Sequence, residues 1–353
     1  MTLPLEGIRV IDVSTVLAGP SVGTFFAELG ADVLKIEHPT HPDVTRSWKL
    51  PKEKRDTSVS AYFSSINYLK EYASLNLKDS TDLKTFLNLI VDADILITNF
   101  KLGDAEKFGI EDDKLHSVNP RLIIGKINGY GAEDDRVAYD LILQAESGFM
   151  SMNGTPESGP VKMPVAMIDV MAAHHLKEGI LLALYEREKS GKGKSMSVSL
   201  YDAALSSLVN QASNYLMSDH VPQRIGSLHP NIAPYGELFK TADDFTITFA
   251  IGSNDHFEKL CGELGADELI LDDQFSSNQN RVVNRIALKA KIEPLVAARS
   301  SESLLSALQK LNVPVGKIKD LQEVFSSDKA KSLVREEVIS GISTKRVTSV
   351  VFK

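Results

Sequence analysis

The N-terminal segment constrains the fold most, because strand and helix signals alternate along it. Residues Ile8 to Val13 form a short β-branched apolar run, and Ser14 to Pro20 follow as a loop. A helical stretch then runs through Glu28, Leu29-Gly30 ends it, and Ala31 to Glu37 alternate as a second strand. This order predicts a parallel βαβ unit whose helix N-terminus points to the ligand side of the sheet.

Further strand and helix signals extend this unit. Residues Asp82 to Val91 read as a helix that leads into a strand at Asp94 to Thr98, and Leu122 to Ile127 read as another strand. Strands separated by helices predict an open, largely parallel α/β sheet of the Rossmann-like kind. Later in the chain, Lys162 to Ile168 form an apolar, strand-like run that ends at Asp169, where a long helix begins.

The chain, with 353 residues, is long enough for two domains. From about Gly226 the pattern changes to a rigid loop, one strand and mostly amphipathic helices, up to about Asp328. We therefore expect a smaller α+β domain over residues 226–328. A large domain over residues 1–225 is expected to be completed by residues 329–353.

Composition excludes several classes of partner. The net charge of −8 argues against nucleic-acid binding, which depends on many cations that neutralise phosphates. The single cysteine, Cys261, excludes an intrachain disulfide and fits a reducing compartment. No run of ~18 apolar residues could span a membrane, and the N-terminus carries no recognisable export signal. We expect a cytoplasmic protein with no membrane partner.

A local group of cations could still bind an anionic ligand. Between Lys35 and Arg55 six basic side chains face three acidic ones, a pattern that fits either a phosphate site or solvated surface. Glu37 lies where a dinucleotide-binding fold places its ribose-binding acid. The segment Ala18 to Gly23 is not G-x-G-x-x-G, however, so the glycines do not favour NAD.

Most familiar catalytic motifs are missing. The sequence has no G-x-S-x-G and no complete P-loop, and its eight histidines show no H-E-x-x-H spacing, so we expect no metal. Acidic chemistry remains, and Asp169 is the best placed candidate. A helix N-terminus would hold its carboxylate ionised and nucleophilic. The alternative is that Asp169 is an ordinary helix cap, because Asp is among the preferred N-cap residues.

A series of short motifs extends along the whole chain. They are Leu5 to Asp12, Leu17-Ala-Gly-Pro20, Leu29 to Glu37, Gly129-Tyr-Gly131, Tyr139-Asp140, Gly191-Lys-Gly193, Asp202-Ala203, His229 to Tyr235 and Val313-Pro-Val-Gly316. In type and in order these motifs resemble the class III coenzyme A (CoA) transferases, the CaiB/BaiF type that includes formyl-CoA transferase.

The resemblance implies a fold and an assembly. It implies a large Rossmann-like domain that does not bind dinucleotides, a small domain inserted late in the chain, and two protomers interlocked as a homodimer. The chain ends at Lys353, where similar sequences continue, so part of the interlocked contact is expected to be absent.

The resemblance also implies a set of site residues. It places the nucleophile at Asp169, with Tyr139 and Asp140 near the thioester. The implied CoA site takes residues from the first loop and from the ends of later strands, with no tightly bound cofactor. These residues are Val16, Leu17, Ala18, His38, Leu75, Lys78, Asn99, Phe100 and Lys107.

The implied reaction moves CoA from an acyl-CoA donor to a carboxylic acid acceptor, through an acyl-aspartyl anhydride and an aspartyl-CoA thioester. Two alternatives stay open. One is a 2-methylacyl-CoA racemase, in whose relatives a histidine precedes the acid at 140, where this chain has Tyr139. The other is a non-catalytic CoA-binding paralogue, because Leu69-Lys-Glu-Tyr72 and Lys101-Leu-Gly103 depart from the motifs of the family.

Overall fold

A computed structural model describes residues 3–352 of the chain, which divide into two compact units. The first unit comprises residues up to 152, residues 161–222 and residues from 332 onward, and the second comprises residues 153–160 and 223–331. Each unit has a hydrophobic core of its own. The boundaries at 226 and 328 stay predictions of where independent domains begin and end.

The described residues contain eleven strands, distributed over both units. The strands are β1 (Arg9–Asp12), β2 (Asp32–Glu37), β3 (Glu71–Ser74), β4 (Ile95–Thr98), β5 (Ile123–Asn128), β6 (Ser195–Ser199), β7 (Tyr235–Lys240), β8 (Thr246–Ala250), β9 (Val315–Lys317), β10 (Val334–Ile339) and β11 (Ile342–Val347).

The α-helices include one of 24 residues, α8, and many short ones. They are α1 (Ala18–Glu28), α2 (Ala61–Ile66), α3 (Ser80–Val91), α4 (Asp104–Phe108), α5 (Asp112–Val118), α6 (Asp140–Glu146), α7 (Phe149–Met152), α8 (Met167–Ser190), α9 (Leu200–Ser206), α10 (Val209–Ser218), α11 (Asn254–Leu264), α12 (Glu268–Leu271), α13 (Asn278–Val283), α14 (Arg285–Ala297), α15 (Ser301–Lys310), α16 (Leu321–Ser326) and α17 (Asp328–Ser332). A 3₁₀ turn spans Val44–Ser47.

The first unit is built on a six-stranded parallel sheet with the order β3-β2-β1-β4-β5-β6. The order reverses between β1 and β4, so the crevice beyond their carboxyl ends is where an open α/β sheet binds ligands. Helices α1 and α8 pack on one face through residues such as Phe26 and Leu176, and α3 and α5 pack on the other through Phe86 and Leu115. The predicted α/β class with a Rossmann-like parallel sheet is confirmed.

The segment before α8 differs from the prediction. Residues 161–166 form no strand, and most of them are exposed. Pro164 has no N–H for a sheet ladder, and the N–H of Met163 donates to the side chain of Gln144 instead. The apolar run is therefore a loop that leads directly into α8.

The second unit contains the antiparallel sheet β7-β8-β9, with α11, α14 and α15 supplying much of its core. This arrangement is the α+β pattern expected for the smaller unit. The antiparallel pair β10-β11 belongs to the first unit, where β11 packs on α2. No helix within residues 3–352 is long and apolar enough to cross a membrane.

Candidate active site

Asp169 is the third residue of α8 and does not cap it. The N-cap position is Ala166, which has no side-chain hydrogen bond to the helix. The side chain of Asp169 is buried, with 8% of the residue exposed, and its carboxylate accepts no hydrogen bond from any residue in the described part of the chain. The alternative that Asp169 is an ordinary helix cap is therefore wrong.

Asp140 does the capping instead, from the start of α6. Its Oδ1 accepts the Ile168 N–H at 2.8 Å, which satisfies one of the free donors at the start of α8. Its Oδ2 accepts from Gln144 Nε2 at 2.5 Å, and Gln144 Oε1 in turn accepts the Met163 N–H at 2.8 Å. One buried carboxylate and one buried amide thus hold the loop before α8 and the helix start together.

Burial raises the pKa of Asp169 to about 7, and the nearby Asp140 carboxylate adds to the rise. This result differs from the expectation that the helix N-terminus keeps the group ionised, because burial and a like charge outweigh the helix dipole here. A carboxylate with this pKa is about half ionised at neutral pH, and no hydrogen bond from the described residues lowers its nucleophilicity.

Tyr62 of α2 also lies within electrostatic reach of this acid pair. Burial raises its pKa to about 12, with further contributions from Asp169, Asp140 and Asp43, so the phenol keeps its proton. Its hydroxyl makes no hydrogen bond within residues 3–352. The sequence analysis missed this residue, because α2 lies outside every motif that was recognised.

The loop after β1 presents its backbone at the carboxyl edge of the sheet. Val16 has a φ of 74°, which is rare for a β-branched residue, and its N–H points to the Asp43 carboxylate at 3.3 Å. The side-chain amide of Asn99 holds Thr15 at both its N–H and its carbonyl, at 3.0 and 2.9 Å. The amide of Asn99 is therefore committed to shaping this loop.

Four of the predicted residues meet at one cavity of about 190 Å³. Its lining includes Val16, Asn99, Phe100 and Tyr139, together with Val137. Tyr139 is 49% exposed and immediately precedes the buried Asp140. A second cavity of about 350 Å³ shares a wall with the first at Phe100 and continues along the ends of β4 and β5.

The remaining predicted CoA residues do not line the first cavity. Leu17 and Ala18 begin α1 directly after Val16. His38 and Leu75 follow the ends of the neighbouring strands β2 and β3.

The two predicted lysines are both exposed. Lys78 lies just beyond β3, in the turn before α3. The Lys107 ammonium lies 3.0 Å from Asp104.

The basic group between Lys35 and Arg55 is only partly available to a ligand. Lys35 pairs with Asp43, Arg46 binds Glu37 through two nitrogens, and Lys49 donates to backbone carbonyls of its own loop. The exposed cations of this group are Lys52, Lys54 and Arg55. In the dinucleotide interpretation, Glu37 would bind a ribose. Its carboxylate instead binds the Arg46 guanidinium.

Comparison with known proteins identifies the family. The family model "CoA-transferase family III" matches residues 5–348. The succinate–glutarate CoA-transferase of Agrobacterium fabrum is 35% identical over 93% of this chain and 83% of its own. The acetyl-CoA:oxalate CoA-transferase of Acetobacter aceti is 36% identical over 91% of this chain and 82% of its own.

Solved structures agree with the family model. A CaiB/BaiF family protein from Brucella suis is 33% identical, with a TM-score of 0.84 over 100% of this chain and 93% of its own. A Mycobacterium tuberculosis protein is 26% identical, with a TM-score of 0.86 over the same shares of the two chains. This chain belongs to CoA-transferase family III, and it is an enzyme of the CoA-transferase class.

The burial of Asp169 predicts a stability effect that depends on pH. Its folded-state pKa of about 7 lies above the ordinary 3.8, so the folded protein holds a proton that the unfolded chain releases between these values. The free energy of unfolding should therefore fall as pH rises from about 4 to about 7. Asp169→Asn lacks this titration, and it should exceed the wild type by up to about 4 kcal/mol at pH 8 but not near pH 4.

Chemical denaturation at pH 5 and pH 8 measures the difference. Asp202→Asn is a matched control, because Asp202 is also the third residue of its helix but is exposed. A stability difference between Asp169→Asn and wild type that stays constant between the two pH values would show that Asp169 is not held in an unfavourable environment.

Proposed function

We propose that this enzyme transfers CoA from an acyl-CoA donor to a carboxylic acid acceptor through covalent intermediates on Asp169. The observation that carries the proposal is the buried carboxylate of Asp169, which accepts no hydrogen bond from any of residues 3–352. Asp140, whose charge acts on Asp169, directly follows Tyr139 in the chain. Tyr139 lines a cavity at the carboxyl edge of the sheet, where ligands are expected to bind. These features are those of a nucleophile that is free to react with a bound substrate.

In the first half of the proposed reaction, a carboxylate oxygen of Asp169 attacks the thioester carbonyl of the donor. The C–S bond breaks, CoA leaves as its thiolate, and a mixed anhydride remains on Asp169. The thiolate then attacks the aspartyl carbonyl, the donor acid leaves as its carboxylate, and an aspartyl-CoA thioester forms. The thioester energy is retained, provided that water is excluded from the site.

In the second half, the acceptor carboxylate attacks the aspartyl thioester. The C–S bond breaks, the thiolate leaves, and an anhydride forms between the acceptor and Asp169. The thiolate then attacks the acceptor carbonyl, giving the new acyl-CoA and the free Asp169 carboxylate. Tyr62 keeps its proton across the working pH range, and its hydroxyl makes no hydrogen bond within residues 3–352, so it can donate one to an oxygen of the reacting acyl group.

The relatives support small organic acids as substrates of this chain. Their names include succinate and glutarate for one relative and oxalate for another. The CoA moiety is proposed to occupy the edge formed by Val16, Leu17, Ala18, His38, Leu75, Lys78, Asn99, Phe100 and Lys107. Asn99 contributes through Thr15, because both ends of its amide already bind that backbone.

The transferase proposal is favoured over the two alternatives. A racemase needs a second acid/base group beside the substrate α-carbon, and the neighbour of Asp140 is a tyrosine, a poor base at neutral pH. A non-catalytic paralogue would have no need to keep a buried carboxylate unpartnered beside a second acid.

We also propose that the protein is a homodimer. Helix α10 has no buried residue in the described chain, and Val209, Leu216 and Met217 are 70%, 78% and 87% exposed. A helix that exposes several large apolar side chains is normally covered by another protein surface. Light scattering at micromolar concentration should give twice the 38.7 kDa mass of one chain, and a purely monomeric species would contradict the proposal.

Replacing Asp169 by Asn should abolish transfer without preventing CoA binding. The amide has nearly the same shape but is a far weaker nucleophile, so kcat should fall by at least about 10³-fold. Initial rates of thioester formation from a panel of acyl-CoA donors and free acids measure the change. Asp202→Asn should keep nearly full activity. If Asp169→Asn keeps more than about a tenth of the wild-type rate, the nucleophile lies elsewhere.

A further inference from the structure

Four charged side chains are buried beneath the loop that follows β1. Asp12 pairs with Lys70 at 2.8 Å and Lys35 pairs with Asp43 at 3.2 Å, and all four side chains are fully shielded from solvent. Burial lowers the pKa of Lys70 to about 8, although Asp12 opposes the shift. Buried ion pairs contribute little net stability to a fold, so a group of four calls for another explanation.

These charges fix the loop residue by residue. The ammonium of Lys35 donates to the Ser14 carbonyl at 2.7 Å, and the Ser14 N–H donates to Asp12 at 3.0 Å. Asp43 accepts a hydrogen bond from the Val16 N–H at 3.3 Å. Thr15, between Ser14 and Val16, is held by the side chain of Asn99. Each residue from 14 to 16 therefore has its own polar anchor.

The start of α1 is shaped to admit these charges. Gly19 and Gly23 are four residues apart and so lie on one face of the helix. A Cβ on Gly19 would lie 2.2 Å from Ser14 Oγ, and a Cβ on Gly23 would lie 2.9 Å from Asp12 Oδ2. The two glycines thus make room for internal polar groups at the place where dinucleotide-binding folds receive a pyrophosphate.

The strained residue of the loop is the one at the cavity. Val16 lines the cavity wall with its backbone in the left-handed region, a conformation that persists only when its surroundings hold it there. Asp43 contacts the Val16 N–H directly, and Lys35 fixes both Asp43 and Ser14. A continuous series of contacts therefore connects the buried Lys35 and Asp43 to Val16 in the wall of the cavity.

We propose that Asp12, Lys35, Asp43 and Lys70 are positioning residues for CoA binding, which hold Val16 in the conformation that shapes the cavity wall. This inference rests on the proposed function, because it assumes that the cavity receives part of the CoA molecule. The network acts on binding through the loop and takes no part in the acyl transfer steps.

The test is the binding of CoA alone, measured by calorimetry, in Asp43→Asn and in the double variant Lys35→Met/Asp43→Asn. The double variant removes both charges of one pair, so it leaves no unpaired charge and decides the question if the single variant fails to fold. We expect Kd for CoA to rise about tenfold in each, because the loop must be ordered on binding. In turnover, KM for acyl-CoA should rise similarly while kcat stays within about threefold.

Asp94→Asn is the matched control. Asp94 pairs with the buried Arg187 at 2.8 Å, but it precedes β4 and so lies at the opposite edge of the sheet. The Asp94→Asn substitution should lower the melting temperature of the protein without changing Kd for CoA. Wild-type Kd values in the Asp43 variants, or an equal rise in Asp94→Asn, would overturn the positioning role. Failure of the wild type to bind CoA would instead refute the proposed CoA site itself.

Discussion

The site depends on the hydrogen bond from the Ile168 N–H to the Asp140 carboxylate. A helix N-terminus needs acceptors for its free N–H groups, and a polar side chain at the N-cap usually supplies one. Here the N-cap is Ala166, which supplies none, and the acceptor comes from α6, so Asp169 does not serve as a cap. Because α8 packs against the sheet over much of its length, the unpartnered carboxylate is held on a rigid element rather than on a mobile loop.

The same contact sets the electrostatics. Asp140 approaches closely enough to raise the pKa of Asp169, while Gln144 and the Ile168 N–H donate hydrogen bonds to Asp140 itself. The two acids therefore differ in their surroundings although they are close in space. Asp140 accepts a hydrogen bond at each oxygen and has a structural role, whereas Asp169 accepts none from the described residues and is suited to covalent chemistry.

Much of the fold was predictable from the sequence, and the detail of the site was not. The parallel sheet and the long helix after Asp169 follow from local periodicity, which is why they were found. The role of Gln144 depends on its bond to the backbone of Met163, and that of Tyr62 on the charge of the distant Asp169, neither of which a local pattern reports. The strand predicted for the apolar run before α8 is wrong because Pro164 cannot donate to a sheet and the Met163 N–H donates to Gln144. These two constraints outweigh the strand-like composition of the run.

The most direct test of the central claim is chemical trapping of the activated Asp169. An acyl-CoA donor is added to the wild-type enzyme with hydroxylamine, and the digested peptides are analysed by mass spectrometry. The account predicts that the peptide containing Asp169 carries a hydroxamate, and that the label requires the donor. A hydroxamate on a different acid, with Asp169 unmodified, would contradict the assignment of the nucleophile.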